Sequence, residues 1–190
     1  GCVQKASNYG GVEGEGEGIV GSEDCLYLDI KAPADFKSKS YPVMVWIHGG
    51  SNKSGWSYEP NYIGQELAKK GVLVVSIAYR LGVFGFFSHP QLNNTQEIAH
   101  NFGLLDQIAA LQWVQKNIHT FGGDASNVTV FGESAGAADI GFLLSSPLSE
   151  GLFQRAIHQS AGFEMLERRD VAGDNTLSRA LTEKLDIENN

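Results

Sequence analysis

The sequence predicts an α/β protein, a mostly parallel sheet with helices on both faces, and three observations lead there. Strand-sized apolar runs recur, several nearly continuous, as suits strands buried on both faces. Segments with apolar residues at three- and four-residue spacing lie between them. The two kinds alternate as β-α-β-α-β-α-β, the order that parallel strands joined by crossover helices require.

The elements follow in chain order. Six glycines fall within residues 10–21, interleaved with Glu13, Glu15 and Glu17, and lack either periodicity, so residues 1–25 are expected to form an acidic glycine-rich loop bracketed by Cys2 and Cys25. Strands are expected at 26–31, 42–48, 72–79, 128–131 and 155–159. A helix over 60–70 ends in Lys69, Lys70 and Gly71, basic residues and then glycine. Leu104, Leu105, Ile108, Leu111, Val114 and Ile118 form one stripe for packing on a sheet, and 134–145 reads as a third helix. The central sheet thus occupies 26–160, and 161–190 begin a further helical region of the same domain.

Composition narrows the function. At 190 residues and 42% hydrophobic content the chain can bury a core. Its 14 basic against 22 acidic residues, a formal charge of −8, argue against nucleic acid or an anionic lipid surface as partner. The longest apolar runs fall far short of the roughly 20 residues of a membrane span. The chain starts at Gly1 without a leader pattern and ends without a helix-stop signal, so it reads as a piece of a longer protein.

Gly132-Glu133-Ser134-Ala135-Gly136 fits G-x-S-x-G between an expected strand and an expected helix, the context that pattern needs. A serine on so tight a turn is held in a strained conformation, and Gly132 and Gly136 remove side chains that would clash around it. At a helix N-terminus Ser134 also meets free N–H groups and a favourable dipole for developing negative charge. The plain alternative is a small-residue turn that packs a helix on a strand. Upstream, Trp46-Ile47-His48-Gly49-Gly50-Ser51 closes a buried strand with glycines that let the backbone approach a substrate. Gly50, Ser51 and Ala135 would then point three N–H donors at an oxyanion.

These motifs, with Gly21-Ser22-Glu23-Asp24-Cys25-Leu26-Tyr27-Leu28, Tyr79-Arg80-Leu81-Gly82-Val83-Phe84-Gly85-Phe86, Asn101-Phe102-Gly103-Leu104-Leu105-Asp106-Gln107, Phe121-Gly122-Gly123-Asp124 and Phe153-Gln154-Arg155-Ala156-Ile157-His158-Gln159-Ser160, resemble the type-B carboxylesterase family, which includes the cholinesterases. The likeness runs from about Cys2 to Ser160 in order and with similar spacing. It implies the α/β-hydrolase fold, incomplete in this chain, and hydrolysis of small carboxylic esters through an acyl-enzyme without metal or cofactor. It implies Ser134 as nucleophile, Gly50, Ser51 and Ala135 as oxyanion donors, and Glu133 as the carboxylate that orients the catalytic imidazole. Ser51 departs from the family's usual third glycine.

The resemblance also implies what else the site needs. In such hydrolases an acid and a histidine follow the serine. The sole downstream histidine, His158, lies in an expected strand and is not assigned, while His89, His100 and His119 lie upstream as packing or surface residues. The chain is therefore expected to carry half an active site and to be inactive alone. The matching cysteines of the family are bonded, implying a Cys2–Cys25 disulfide and an extracellular or periplasmic location, with two reduced packing cysteines as the alternative. The loop holds Tyr9 but no Trp, which disfavours a choline-specific platform. Asn52-Lys53-Ser54, Asn93-Asn94-Thr95 and Asn127-Val128-Thr129 fit the glycosylation acceptor pattern, and Arg80 with Asp106 is expected to form a buried ion pair. Rival readings are a non-catalytic cholinesterase-like adhesion module, against which the intact Ser134 counts, and a lipase or amide-cleaving relative.

Overall fold

The computed structural model describes residues 1–6, 18–88, 100–161 and 176–185. Most of the glycine-rich loop with Tyr9, as well as His89, the Asn93 acceptor site and most of 161–190, lie outside the described residues.

A five-stranded sheet carries the fold. Its strands are β3 (Leu28–Lys31), β4 (Tyr41–Ile47), β5 (Leu73–Ile77), β6 (Gly123–Glu133) and β7 (Arg155–Gln159), in the spatial order β3-β5-β4-β6-β7. All neighbours run parallel except β3, which joins β5 antiparallel at one edge. Two short strands, β1 (Gln4–Lys5) and β2 (Ile19–Val20), pair separately beside the Cys2–Cys25 disulfide. The expected strand at 26–31 starts two residues late because Leu26 and Tyr27 are exposed.

The helices are α1 (Gln65–Lys69), α2 (Gly82–Phe86), α3 (Phe102–Asn117), α4 (Ala135–Ser145) and α5 (Thr176–Lys184). The helix expected over 60–70 is divided: a 3-10 turn at Pro60–Tyr62 is separated from α1 by Gly64, whose φ of 74° interrupts right-handed helix. The short α2 escapes sequence reading because one turn shows no period. Alternation along the strands sorts the layers. Val43, Val45, Ile47, Leu73, Val75, Ile77, Val128 and Val130 face α3 and α4 in one core, with Ile108, Leu111, Val114, Ile140 and Leu143 packed on them. On the opposite face Trp46 stacks on Tyr62 at 4.7 Å and meets Phe131 at 4.9 Å, while Gly64 lies against Val74.

The connections explain where a site forms. From β4 the chain crosses to β5 on one side, then returns past β4 to β6 and on to β7. The strand order therefore reverses at β4, and the crevice beyond the carboxyl ends of β4 and β6 is where such sheets bind ligands. Ile47 pairs with Gly132 there, so the segments following the two strands emerge side by side.

Cys2 and Cys25 are bonded and buried at 2% and 3% exposure, within the core. Closing a loop across a separation of 23 residues stabilises by about 3 kcal/mol on the chain-entropy account. Replacing both with serine is expected to lower unfolding stability by that amount in urea; an unchanged midpoint would refute it. The Arg80–Asp106 pair is buried on one side only. Asp106 is 5% exposed, whereas Arg80, at 36%, covers it from the surface with a bidentate contact of two 2.8 Å bonds.

Candidate active site

β6 ends at Glu133 and α4 starts at Ala135, which leaves Ser134 alone to turn the chain. Its φ of 54° and ψ of −121° belong to a region that L-residues rarely occupy, at a cost of order 1–3 kcal/mol. The turn is held from both sides: Ser134 N–H donates to the Gln159 carbonyl on β7 at 2.9 Å, and the Ser134 carbonyl accepts from Ala138 N–H at 3.0 Å. Glu133 thus closes a strand rather than capping a helix. Ala135 N–H, in the first turn of α4, has no intrahelical acceptor.

Glycines bring the β4 segment onto this turn. A Cβ on Gly136 would lie 2.2 Å from the Ile47 carbonyl oxygen, and one on Gly49 would lie 2.7 Å from the Glu133 carbonyl oxygen and 3.2 Å from Ser134 Cβ. The start of α4 and the segment after β4 are thus in backbone contact, Gly49 lying against Glu133 and Ser134 and Gly136 against Ile47 and His48, with Gly50 and Ser51 following directly in the chain. The loop itself is left-handed at three successive residues, Gly50 at φ 90° and Ser51 and Asn52 at 56° each. Lys53 and Ser54 N–H groups donate to the Gly50 carbonyl at 2.9 and 3.1 Å, and Gln4 grips Gly55 through two bonds of 2.8 and 3.0 Å. His158 is on β7, paired with Gly132, as its expected strand required.

Beneath the loop lies a polar network that sequence reading misses. Asn52 Nδ2 donates to Asp139 Oδ1 at 3.0 Å and Gln107 Nε2 donates to Asp139 Oδ2 at 2.6 Å. The Tyr79 hydroxyl sits 2.7 Å from the His48 carbonyl oxygen and 3.0 Å from Asn52 Oδ1, which share its one proton. The signal was present: Asp139 is the one charge in the apolar helix Ala-Gly-Ala-Ala-Asp-Ile-Gly-Phe-Leu-Leu. In the folded chain the amide nitrogen of Asn52, within one of the three acceptor patterns, is bonded to Asp139. Asn127, by contrast, accepts from Arg155 in an exposed contact.

Burial sets the protonation of these groups. It drives His48, stacked 4.4 Å from Tyr79, down to about 4, and raises Asp139 to about 6 against the two bonds it accepts. Tyr79 is held well above its ordinary value by burial, with the Asp139 and Glu59 charges adding, so it remains a donor. Glu59 is raised mainly by burial, with the Glu133 charge adding and a bond from Trp56 N–H opposing. Between pH 6 and 4 the two extreme groups oppose each other. His48, depressed below its unfolded value, contributes stability above pH 6.5 that is lost as pH falls through about 4. Asp139, raised, is favourable below 3.8 and loses that contribution as pH rises through about 6. Acidification therefore costs about 2 kcal/mol at one group and returns about as much at the other. Asp139→Asn removes the return, so its urea midpoint is expected to fall more steeply from pH 6 to pH 4 than that of the unsubstituted protein; equal slopes would refute the opposition.

Among the described residues no group of three His, Cys, Asp or Glu side chains is placed to hold a metal ion, and no helix is long and apolar enough to cross a membrane. A cavity of about 330 Å³ lies beside the disulfide, lined in part by Glu23, Arg80 and Phe84, and does not include Ser134.

Comparison with known proteins places this geometry in context. The profile of the carboxylesterase family matches residues 1–179. The fumonisin B1 esterase of Sphingopyxis macrogoltabida is 51% identical over 151 residues, 78% of this chain and 28% of that protein. The para-nitrobenzyl esterase of Bacillus subtilis (strain 168) is 51% identical over 152 residues, 80% of this chain and 30% of its own length. A solved structure of a thermophilic PNB esterase superposes with a TM-score of 0.75 at 45% identity, covering 88% of this chain and 34% of that one. The chain thus spans under a third of the length of these curated relatives.

Proposed function

Because this chain belongs to the carboxylesterase family and has its α/β-hydrolase fold, we propose that Ser134 is the nucleophile of a serine hydrolase that cleaves small carboxylic esters through an acyl-enzyme. The observation that carries this reading is the backbone at Ser134, a strained residue between strand and helix with the glycine loop laid against it. Strain of that kind persists where the surroundings over-determine it, and it directs the hydroxyl into the crevice.

In this reading Ser134 Oγ attacks the ester carbonyl carbon and gives its proton to a histidine base. The carbonyl oxygen takes up the negative charge and is met by the N–H groups of Gly50, Ser51 and Ala135. Collapse breaks the bond to the alkoxy oxygen, which leaves with the base's proton as an alcohol. Water then attacks the acyl-enzyme by the same route, returning the acid and free Ser134. Glu133 is assigned as the carboxylate that orients that histidine. No described histidine serves as the base, and the relatives extend well past the span matched here, so both the base and its acidic partner are assigned to the protein beyond Asn190. The disulfide supports an oxidising compartment, extracellular or periplasmic.

A fluorophosphonate probe applied to the full-length protein is expected to label Ser134, read by peptide mass spectrometry, whereas the 190-residue chain alone gives no turnover of nitrophenyl acetate. Labelling at Ser51 or Ser160, or robust turnover by the short chain that His158→Ala removes, would overturn the assignment.

A further inference from the structure

The two walls of the crevice come from different parts of the sheet, and one buried group ties them together. Gly50 and Ser51 belong to the loop after β4; Ser134 and Ala135 belong to the start of α4. Asp139 lies on α4, little more than one helical turn after Ser134. It is 1% exposed. Its Oδ1 accepts from Asn52, the residue that follows Ser51, at 3.0 Å, and its Oδ2 accepts from Gln107 on α3 at 2.6 Å.

The loop needs such a tie. Ser51 and Asn52 are consecutive non-glycine residues in left-handed conformation, a pairing that L-residues avoid and that a loop keeps only when anchored. Asn52 supplies the anchor at three points: its amide nitrogen reaches Asp139, its amide oxygen meets the Tyr79 hydroxyl at 3.0 Å, and its carbonyl accepts from Gly82 N–H at 2.7 Å. The carboxylate also fixes which way the Asn52 amide points, because only the NH₂ end can face it. Tyr79 meanwhile bonds the His48 carbonyl at 2.7 Å, where the loop departs from β4.

We infer that Asp139 is a positioning residue for ester hydrolysis, setting through Asn52 the separation between the loop that carries Gly50 and Ser51 and the helix that carries Ser134 and Ala135. The inference rests on the reading of Ser134 as nucleophile. Asp139 touches neither substrate nor reacting atoms. It acts by keeping the Gly50 and Ser51 donors and the Ala135 donor aimed at one point, which matters when charge develops on the ester oxygen and much less when the ester merely binds.

The test uses the full-length protein, with turnover of nitrophenyl butyrate expressed per Ser134 titrated by a phosphonate. Asp139→Ala and Asn52→Gly are expected to lower kcat by about ten- to a hundredfold, with KM changed less than about threefold. Asn52→Gly is the sharper variant, since glycine accepts the left-handed backbone, keeps the carbonyl bond from Gly82 and loses only the two side-chain bonds; it decides the question should Asp139→Ala fail to fold. Asp139→Asn is expected to restore most of the turnover. Its oxygen still accepts from Asn52, and its new NH₂ is met by Gln107, whose Oε1 has no partner among the described residues and becomes available on turning the amide. Turnover per titrated site within about twofold of the unsubstituted protein in Asn52→Gly, a loss confined to KM, or no recovery in Asp139→Asn would overturn the inference and leave the Ser134 reading standing. An unsubstituted protein that neither turns over the ester nor takes the phosphonate would overturn both.

Discussion

If Ser134 is the nucleophile as proposed, replacing it with alanine in the full-length protein is expected to lower ester turnover by at least about 10⁴-fold, leaving only what binding and the proposed oxyanion donors supply. The fold should remain. Ser134 is partly exposed, its structural bonds are made by its backbone, and alanine would sit in the same strained φ and ψ. Unfolding stability is therefore expected to move by less than about 1 kcal/mol. Ser134→Gly separates strain from chemistry more sharply. Glycine takes a φ of 54° and ψ of −121° without the steric penalty of a Cβ, so this variant should gain about 1 kcal/mol in urea while losing turnover as completely. A serine without a chemical role would show the same gain from glycine with turnover retained. Urea midpoints and initial rates on the three proteins give the answer.

Gly136→Ala should damage both fold and rate through one methyl group. Alanine is the best helix former, so on propensity alone the change in α4 is favourable by about 1 kcal/mol. Yet the new Cβ would lie 2.2 Å from the Ile47 carbonyl oxygen and 2.7 Å from that of His48. Both are backbone atoms at the end of a central strand, where no side chain can swing aside. Restoring ordinary contact moves the start of α4 by more than about 1 Å, and a misplacement of that size costs about 10²-fold in rate. The overpacking itself is expected to cost about 2–3 kcal/mol. A Gly136→Ala protein with unchanged kcat and urea midpoint would show that α4 and β4 are not held at the spacing described.

Much of this was legible in one dimension because the signals are local. Near-continuous apolar runs announced β4 and β5, the Leu104-to-Ile118 stripe announced α3, and the glycines around Ser134 announced a turn too tight for side chains; each depends on residues a few positions apart. β7 was read to the residue for the same reason. The antiparallel placing of β3 was not legible, because the direction of an edge strand is decided by its partner β5 rather than by its own four residues. Gly64 dividing the helix expected over 60–70 is similar, since its left-handed φ comes with its packing against Val74 from across the sheet.

The site divides in the same way. By itself the sequence determined where the chain turns tightly and where backbones approach closely, Ser134 between its glycines and the Gly49-Gly50-Ser51 run, because those steric demands are written at those positions. Only the tertiary structure decided how the halves are held. Asn52 and Asp139 are 87 positions apart, Tyr79 and Gln107 come from two further elements, and in the sequence Asn52 showed only as part of a glycosylation acceptor pattern while Asp139 drew no reading. A buried carboxylate acquires a meaning only from the donors that reach it, and those are chosen by the crossing of β4, β5 and β6 that brings distant segments to one end of the sheet.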